Sequence, residues 1–188
     1  MGESTMIRTA LLACAATLVL GAPAFAQPAP VAMPMQRSAM SGDQMTTDFV
    51  TKAAQSDEFE RREARLAEMR ADNPKVKQFA AKMLHAHTET TLHLKSAIRK
   101  TGETPPPPPP LDDAQMKMMA DLKGLHGPDF DKTYMDQQVQ AHQEALGLMQ
   151  TYAQNGQPGP IRNAAAKTVS VVQSHLDMAK DIQSHMGG

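Results

Sequence analysis

The strongest constraint on the fold lies in the last third of the chain. Ile161, Ala165, Thr168, Val172, His175, Ala179, Ile182 and Met186 follow one another at alternating steps of four and three. That spacing lines one face of an α-helix and matches no face of a β-strand. The same rule selects Met135, Val139, His142, Leu146, Met149 and Ala153, and again Val76, Ala80, Met83, His87, Thr90, Leu94 and Ala97. Three long amphipathic helices, each with a histidine near the middle of its apolar seam, must bury those seams against one another.

Helix breakers divide the chain. A first helix is expected over residues 47–71, ending at Asp72-Asn73-Pro74, where Asn73 can cap the next helix and Pro74 takes its first position. The second helix then runs to about Lys100 and stops at Gly102. Prolines 105 to 110 are consecutive and hold an extended strut, roughly 19 Å long at about 3.1 Å per residue. Asp112 with Gln115 resembles a capping box and opens a short helix to about Leu125. A long helix follows from about Phe130 to Ala153, and a last one from Pro160 to about Met186. The expected fold class is all-α: a four-helix bundle with one additional short helix in the long connection between the second and third bundle helices. That connection allows the third helix to run parallel to the second, as in ferritin-like folds, or antiparallel to it.

Residues 1–26 read as a secretory signal peptide. A single Arg8 precedes the apolar run "ALLACAATLVL", and Ala24-Phe25-Ala26 forms a small-x-small cleavage site. Residues 27–46, rich in Pro, Ala, Ser and Met, read as a flexible tether, and residues 47–188 as the bundle domain. The expected location is therefore the periplasm or the exterior, after cleavage near Ala26. Cys14 is the one cysteine. The apolar run continues past it, against a lipid-attachment box, and cleavage leaves no thiol for disulfides or thiolate metal sites. No later stretch approaches the roughly 18 apolar residues of a membrane span. A net charge of −1 gives no basic footprint for nucleic acid or anionic lipid, and sparse aromatic residues with no tryptophan argue against a sugar- or base-stacking platform.

Phase and height bring the histidines together. His87, His142 and His175 each lie inward and within a few residues of their helix midpoints, whichever way the third helix runs. Helix one offers Glu60 at the same level, on a seam that also carries Glu63; Phe59 and Leu66 suggest a seam rotated by one residue, which would leave Glu60 at the flank. The candidate metal constellation is Glu60, His87, His142 and His175. Such a set suits one divalent ion, with zinc, iron and copper all compatible with imidazole. The competing reading is a hydrogen-bonded polar layer without metal, in which the rings would depress one another's pKa values and make the bundle acid-sensitive. A Glu-x-x-His step on two helices, as the di-iron ferritin site needs, is absent. His85, Glu89 and His93 share the opposite face of helix two and read as surface, while His126 and His185 join no constellation. Met33, Met35, Met40 and Met45 fall in the tether, where their thioethers are candidate ligands for copper(I). With no Gly-x-Ser-x-Gly, no phosphate loop and no mature cysteine, catalysis is the minority reading.

The segments "AAQSDEFERREARLA", "NPKVKQFAAKMLHAH", "FDKTYMDQQVQAH" and "AAAKTVSVVQSHLDMA" together resemble the exported bacterial helical-bundle family known as domain of unknown function 4142. The resemblance covers about residues 47–182 and implies a ferritin-like fold. It places family positions on Glu60, His87, Phe130, Asp131, Tyr134, His142 and His175. One departure stands out: the family usually carries Asp immediately before the second-helix histidine, and here that residue is Ala86, so a carboxylate that would orient His87 or ligate a metal is missing from that place, with neighbouring His85 no obvious substitute. The resemblance brings no established activity. The leading expectation is an exported bundle whose His/Glu layer binds a metal ion or small ligand without turnover. A structural or stress-related envelope protein and a metal-dependent oxidoreductase are the alternatives.

Overall fold

The computed structural model describes residues 41–186. The signal peptide, the lipid-attachment question at Cys14 and the tether methionines Met33, Met35 and Met40 lie outside the described residues. Among these the chain forms helices and no strand: α1 (Gly42–Arg70), α2 (Pro74–Arg99), α3 (Asp113–Lys123), α4 (Gly127–Asn155) and α5 (Pro160–Ser184).

The helix ends follow local chemistry. Asn73 caps α2 by accepting from Lys75 N at 2.9 Å, and Asp112 and Gln115 cap α3 reciprocally, satisfying N–H groups that a helix start leaves free. Gly102, at φ 87°, turns the chain out of α2 through the left-handed region that glycine tolerates. Two helices start earlier than expected. α1 begins at Gly42 because the Ser41 hydroxyl accepts from Gln44 N at 3.2 Å, so Met45, placed in the tether by composition, is helical and packs partly buried near Phe49. α4 begins at Gly127, one turn before Phe130.

α1 packs against α2 and α4, and α5 packs against the same two, so α1/α5 and α2/α4 face each other across the diagonals. Direction follows from the ends. Asp131, near the start of α4, accepts from Asp72 N and Asn73 N at the α1–α2 turn, at 3.2 and 2.7 Å. Tyr152, near the end of α4, stacks on Phe49 near the start of α1. α1 and α4 are therefore antiparallel, and α4 runs parallel to α2: the crossover topology of ferritin-like bundles. The connection accomplishes this by running along the bundle. Pro105, Pro106 and Pro108 lie beside Ala54 and Leu94 in the α1/α2 groove, Gln55 Nε2 donates to Pro110 O at 2.7 Å, and Arg70 donates to Lys123 O at 2.7 Å beyond α3.

The apolar core comes in two pieces. The larger contains Phe79, Met83, Leu122, Phe130 and Met135; the smaller contains Phe49, Ile98, Tyr152 and Ile161. Along α2, α4 and α5 the change from one to the other falls at the histidines. α1 buries an unusually broad face, because it also meets α3. Phe59 and Leu66 are buried and so are Glu60 and Glu63, so the two alternative seams of that helix both enter the interior.

Candidate metal centre

His87, His142 and His175 meet at the centre of the bundle. Their ring centroids are 5.6 Å (His87–His142), 5.6 Å (His142–His175) and 6.1 Å (His87–His175) apart. One ring nitrogen of each lies within 4.8 Å of those of the other two. The rings are buried, with exposures of 5%, 0% and 5% in chain order.

Hydrogen bonds fix how two of the rings present themselves. His142 Nδ1 lies 2.8 Å from the backbone carbonyl of Gln138. A carbonyl only accepts, so Nδ1 carries the proton and the neutral ring keeps its lone pair on Nε2. His87 Nδ1 donates to Asp57 Oδ1 at 2.9 Å, so in the neutral form of this ring Nε2 is the lone-pair nitrogen. His87 Nε2, His142 Nε2 and His175 Nδ1 are all buried without a hydrogen-bond partner among the described residues. Native interiors seldom leave such atoms unpaired. Three in one cluster amount to a set of buried ring nitrogens left open.

Asp57 is the member of this site that sequence reasoning overlooked. It is nearly buried on α1, one turn before Glu60, and the hydroxyls of Thr90 and Thr91 also bond to it, at 3.0 and 2.8 Å. Its carboxyl group orients His87. The available signal was the i, i+3 step from Asp57 to Glu60, together with the missing carboxylate beside His87. A carboxylate behind a ligating imidazole fixes tautomer and raises basicity.

Glu60 enters the core but stands beside the three rings instead of among their converging nitrogens. Its Oε2 is 4.0 Å from His87 Nε2 and its Oε1 is 3.5 Å from His142 Nδ1. Gln138 Nε2 bridges it to Glu63, at 2.7 and 2.8 Å. His85, Glu89 and His93 are exposed on the outer face of α2. Met116 is about half exposed, while Met119 is buried against the larger core cluster.

Burial and neighbouring charge set the protonation states. Burial would lower the pKa of His87, but the hydrogen bond to Asp57 and the charge of Glu60 and Asp57 outweigh it, and the net shift is upward. His175 has no such partner. Burial, then repulsion from His142, His87 and Lys82, lowers it to about 3, so this ring is neutral at ordinary pH. Burial, with Glu60 beside it, holds Glu63 well above the usual carboxylate range.

Three clefts lie elsewhere. One of about 730 Å³ lies at the α1–α2 turn, lined by Asp72, Asp131, Met135 and Gln183, and others of about 480 and 390 Å³ lie near Tyr152 and beneath α3. None of these three is lined by a triad histidine.

Fold and site together define a crossover four-helix bundle with a buried three-histidine cluster. The family model described as Domain of unknown function (DUF4142) matches residues 30–182, and the chain belongs to that family. Among solved structures it is similar to CopM in the Cu(I)-bound form, with 15% sequence identity and a TM-score of 0.63 over 76% of this chain and 98% of that one; at that identity the likeness is one of fold. Curated proteins provide no match. No helix among the described residues is long and apolar enough to cross a membrane.

Proposed function

We propose that this is an exported metal-binding protein that holds one ion on His87, His142 and His175, without turnover, and that copper is the ion it prefers over zinc or iron. The observation that carries the reading is the convergence of three buried ring nitrogens within 4.8 Å of one another, coupled to the lack of any partner among the described residues for one buried nitrogen on each ring. A purely architectural layer would be expected to pair those nitrogens. Neutral imidazole is the form that binds metal. His175 is neutral because its pKa is lowered to about 3, and the His142 tautomer is set by Gln138 O. Imidazole donors alone do not choose among copper, zinc and iron; the fold shared with a protein solved with Cu(I) bound supports copper. Asp57 behind His87, and Glu60 beside two of the rings, supply acidic groups to offset the charge of an entering cation. The leader-like residues 1–26 support export to the periplasm.

The test is elemental analysis of the mature protein purified without a His tag or chelator, followed by titration with Cu(I), Cu(II), Zn(II) and Fe(II), beside a variant carrying H87A, H142A and H175A. Near-stoichiometric copper that the variant loses is the expected result. No metal on isolation and none taken up would leave the layer as architecture. Cell fractionation with N-terminal sequencing tests export: a cytoplasmic protein with residues 1–26 intact would overturn that part.

A further inference from the structure

A second group of polar atoms adjoins the histidines and remains unexplained by them. Glu60 and Glu63 are one turn apart on α1, and Tyr134 and Gln138 one turn apart on α4; all four are 0% exposed. The Gln138 amide has two N–H groups, and its Nε2 bonds to both carboxyls, at 2.7 Å to Glu60 Oε2 and 2.8 Å to Glu63 Oε2. Its donors are thereby used up. Glu60 Oε1, Glu63 Oε1, Gln138 Oε1 and the Tyr134 hydroxyl are buried with no hydrogen-bond partner among the described residues. Glu60 Oε1 does approach His142 Nδ1 at 3.5 Å, but that proton is committed to Gln138 O.

Four buried oxygens short of donors, two of them on adjacent acidic side chains, is an arrangement that hydrogen bonding within the chain leaves open. Two carboxyls so close in a dry interior resist ionising together. A cation between them would relieve both problems. Tyr134, one turn before Gln138 on the same helix, brings a fourth unpartnered oxygen to this level of the bundle; burial, then the charge of Glu60 and Glu63, pushes its hydroxyl well above the usual tyrosine range.

We propose that Glu60, Glu63, Gln138 and Tyr134 form a second, oxygen-only cation site beside the histidine cluster, suited to a hard divalent ion of the manganese or magnesium type. Carboxylate and carbonyl oxygens favour such ions, whereas imidazole nitrogens favour copper, zinc and iron, so the two donor sets sort different metals. The Gln138 amide is the adaptable part. A half-turn about its terminal torsion exchanges Nε2 for Oε1 towards the carboxyls, replacing a donor that bridges the empty pair by a third oxygen ligand. The two sites adjoin at Glu60, but the oxygen set does not require metal at the histidines.

Manganese(II) is the probe, followed by electron paramagnetic resonance during titration of the mature chain. The same titration is run on the H87A/H142A/H175A variant, on Glu63→Gln and on Tyr134→Phe. The expected result is one equivalent of bound Mn(II) in the parent chain, retained when the histidines are removed, lost in Glu63→Gln and weakened in Tyr134→Phe. Circular dichroism checks that each variant is folded; should Glu63→Gln fail to fold, Tyr134→Phe carries the test. Absence of Mn(II) binding at millimolar concentration would overturn the proposal, with a proton or a water molecule as the occupant. Binding that both substitutions leave unchanged would overturn it equally. Copper uptake is measured on the same samples, so failure here and failure at the histidines are told apart.

Discussion

The chain has two tyrosines, both on α4 and both buried, at opposite ends of the polar layer. Tyr152 belongs to the smaller apolar cluster. It stacks on Phe49 at a centroid distance of 4.0 Å, and its hydroxyl bonds to Thr46 at 2.9 Å. Tyr134 belongs to the larger cluster, with its ring 6.3 Å from Phe79 and 6.4 Å from Phe130, yet its hydroxyl has no partner among the described residues. One end of the helix is closed architecture in which apolar body and polar tip are both satisfied. The other abuts a layer in which oxygen and nitrogen atoms are buried and left open. Burial is the same; only the first arrangement explains itself without a ligand.

The largest way to break the comparison is at the closed end. Phe49→Ala removes the ring beneath Tyr152 and leaves a cavity in the smaller cluster, where Phe49 is 3% exposed. A loss of about 3–5 kcal/mol is expected, read as a lower urea midpoint with unchanged slope, with metal per chain unaltered in the folded fraction. If metal were lost in step, the two regions would not be separable.

Asp57 tests the open layer. Asp57→Asn keeps the shape but replaces one of two oxygens that between them accept from His87 and from the Thr90 and Thr91 hydroxyls. The expected cost is about 1–3 kcal/mol of stability and about 10–100-fold in metal affinity, measured by competition with a chelator. An affinity equal to the parent's would remove Asp57 from the centre.

His175 gives the layer a pH signature. Its folded pKa is about 3 against an ordinary 6.5. Below pH 6.5 the unfolded chain therefore takes up a proton that the folded ring refuses, and metal-free stability is lost as pH falls towards 3. His87, shifted upward, acts in the opposite sense: its contribution is present below pH 6.5 and lost as pH rises through the folded value. In metal-free protein the Tm of the parent minus that of His175→Leu should decrease steadily from pH 6.5 to pH 4. A constant difference would mean that His175 is not held neutral.

These contrasts also explain what could be read before the fold was known. The seams through His87, His142 and His175 were legible because a step of four and three has one structural meaning, and midpoints coincide whichever way a helix runs. The direction of α4 was not, since it depends on the contacts that hold the connection along the bundle, Gln55 to Pro110 and Arg70 to Lys123. Ser41 as a cap was hidden by the Pro- and Met-rich composition just before it. Glu60 was ambiguous because α1 has three neighbours and buries a wide face, so phase alone gave two answers. Asp57 and Gln138 act through partners on other helices, about 30 and 75 residues away, and periodicity carries no record of a cross-helix hydrogen bond.

The smallest effect is the sharpest, because it asks the same change of both tyrosines. Tyr152→Phe keeps the stack on Phe49 but removes one of the two hydrogen bonds of the Thr46 hydroxyl, which still donates to Gly42 O at 2.9 Å, so the loss should be about 0.5–1.5 kcal/mol. Tyr134→Phe, in metal-free protein, removes an oxygen that is bonded to nothing among the described residues, and the stability should be unchanged or slightly higher, since an unpaired buried hydroxyl is itself costly. Thermal unfolding of the two variants side by side decides it. Equal losses would mean that the Tyr134 hydroxyl is satisfied in solution by a bound water; opposite signs would mark the layer around Glu60 and Glu63 as held open, with stability given up where a ligand is to bind.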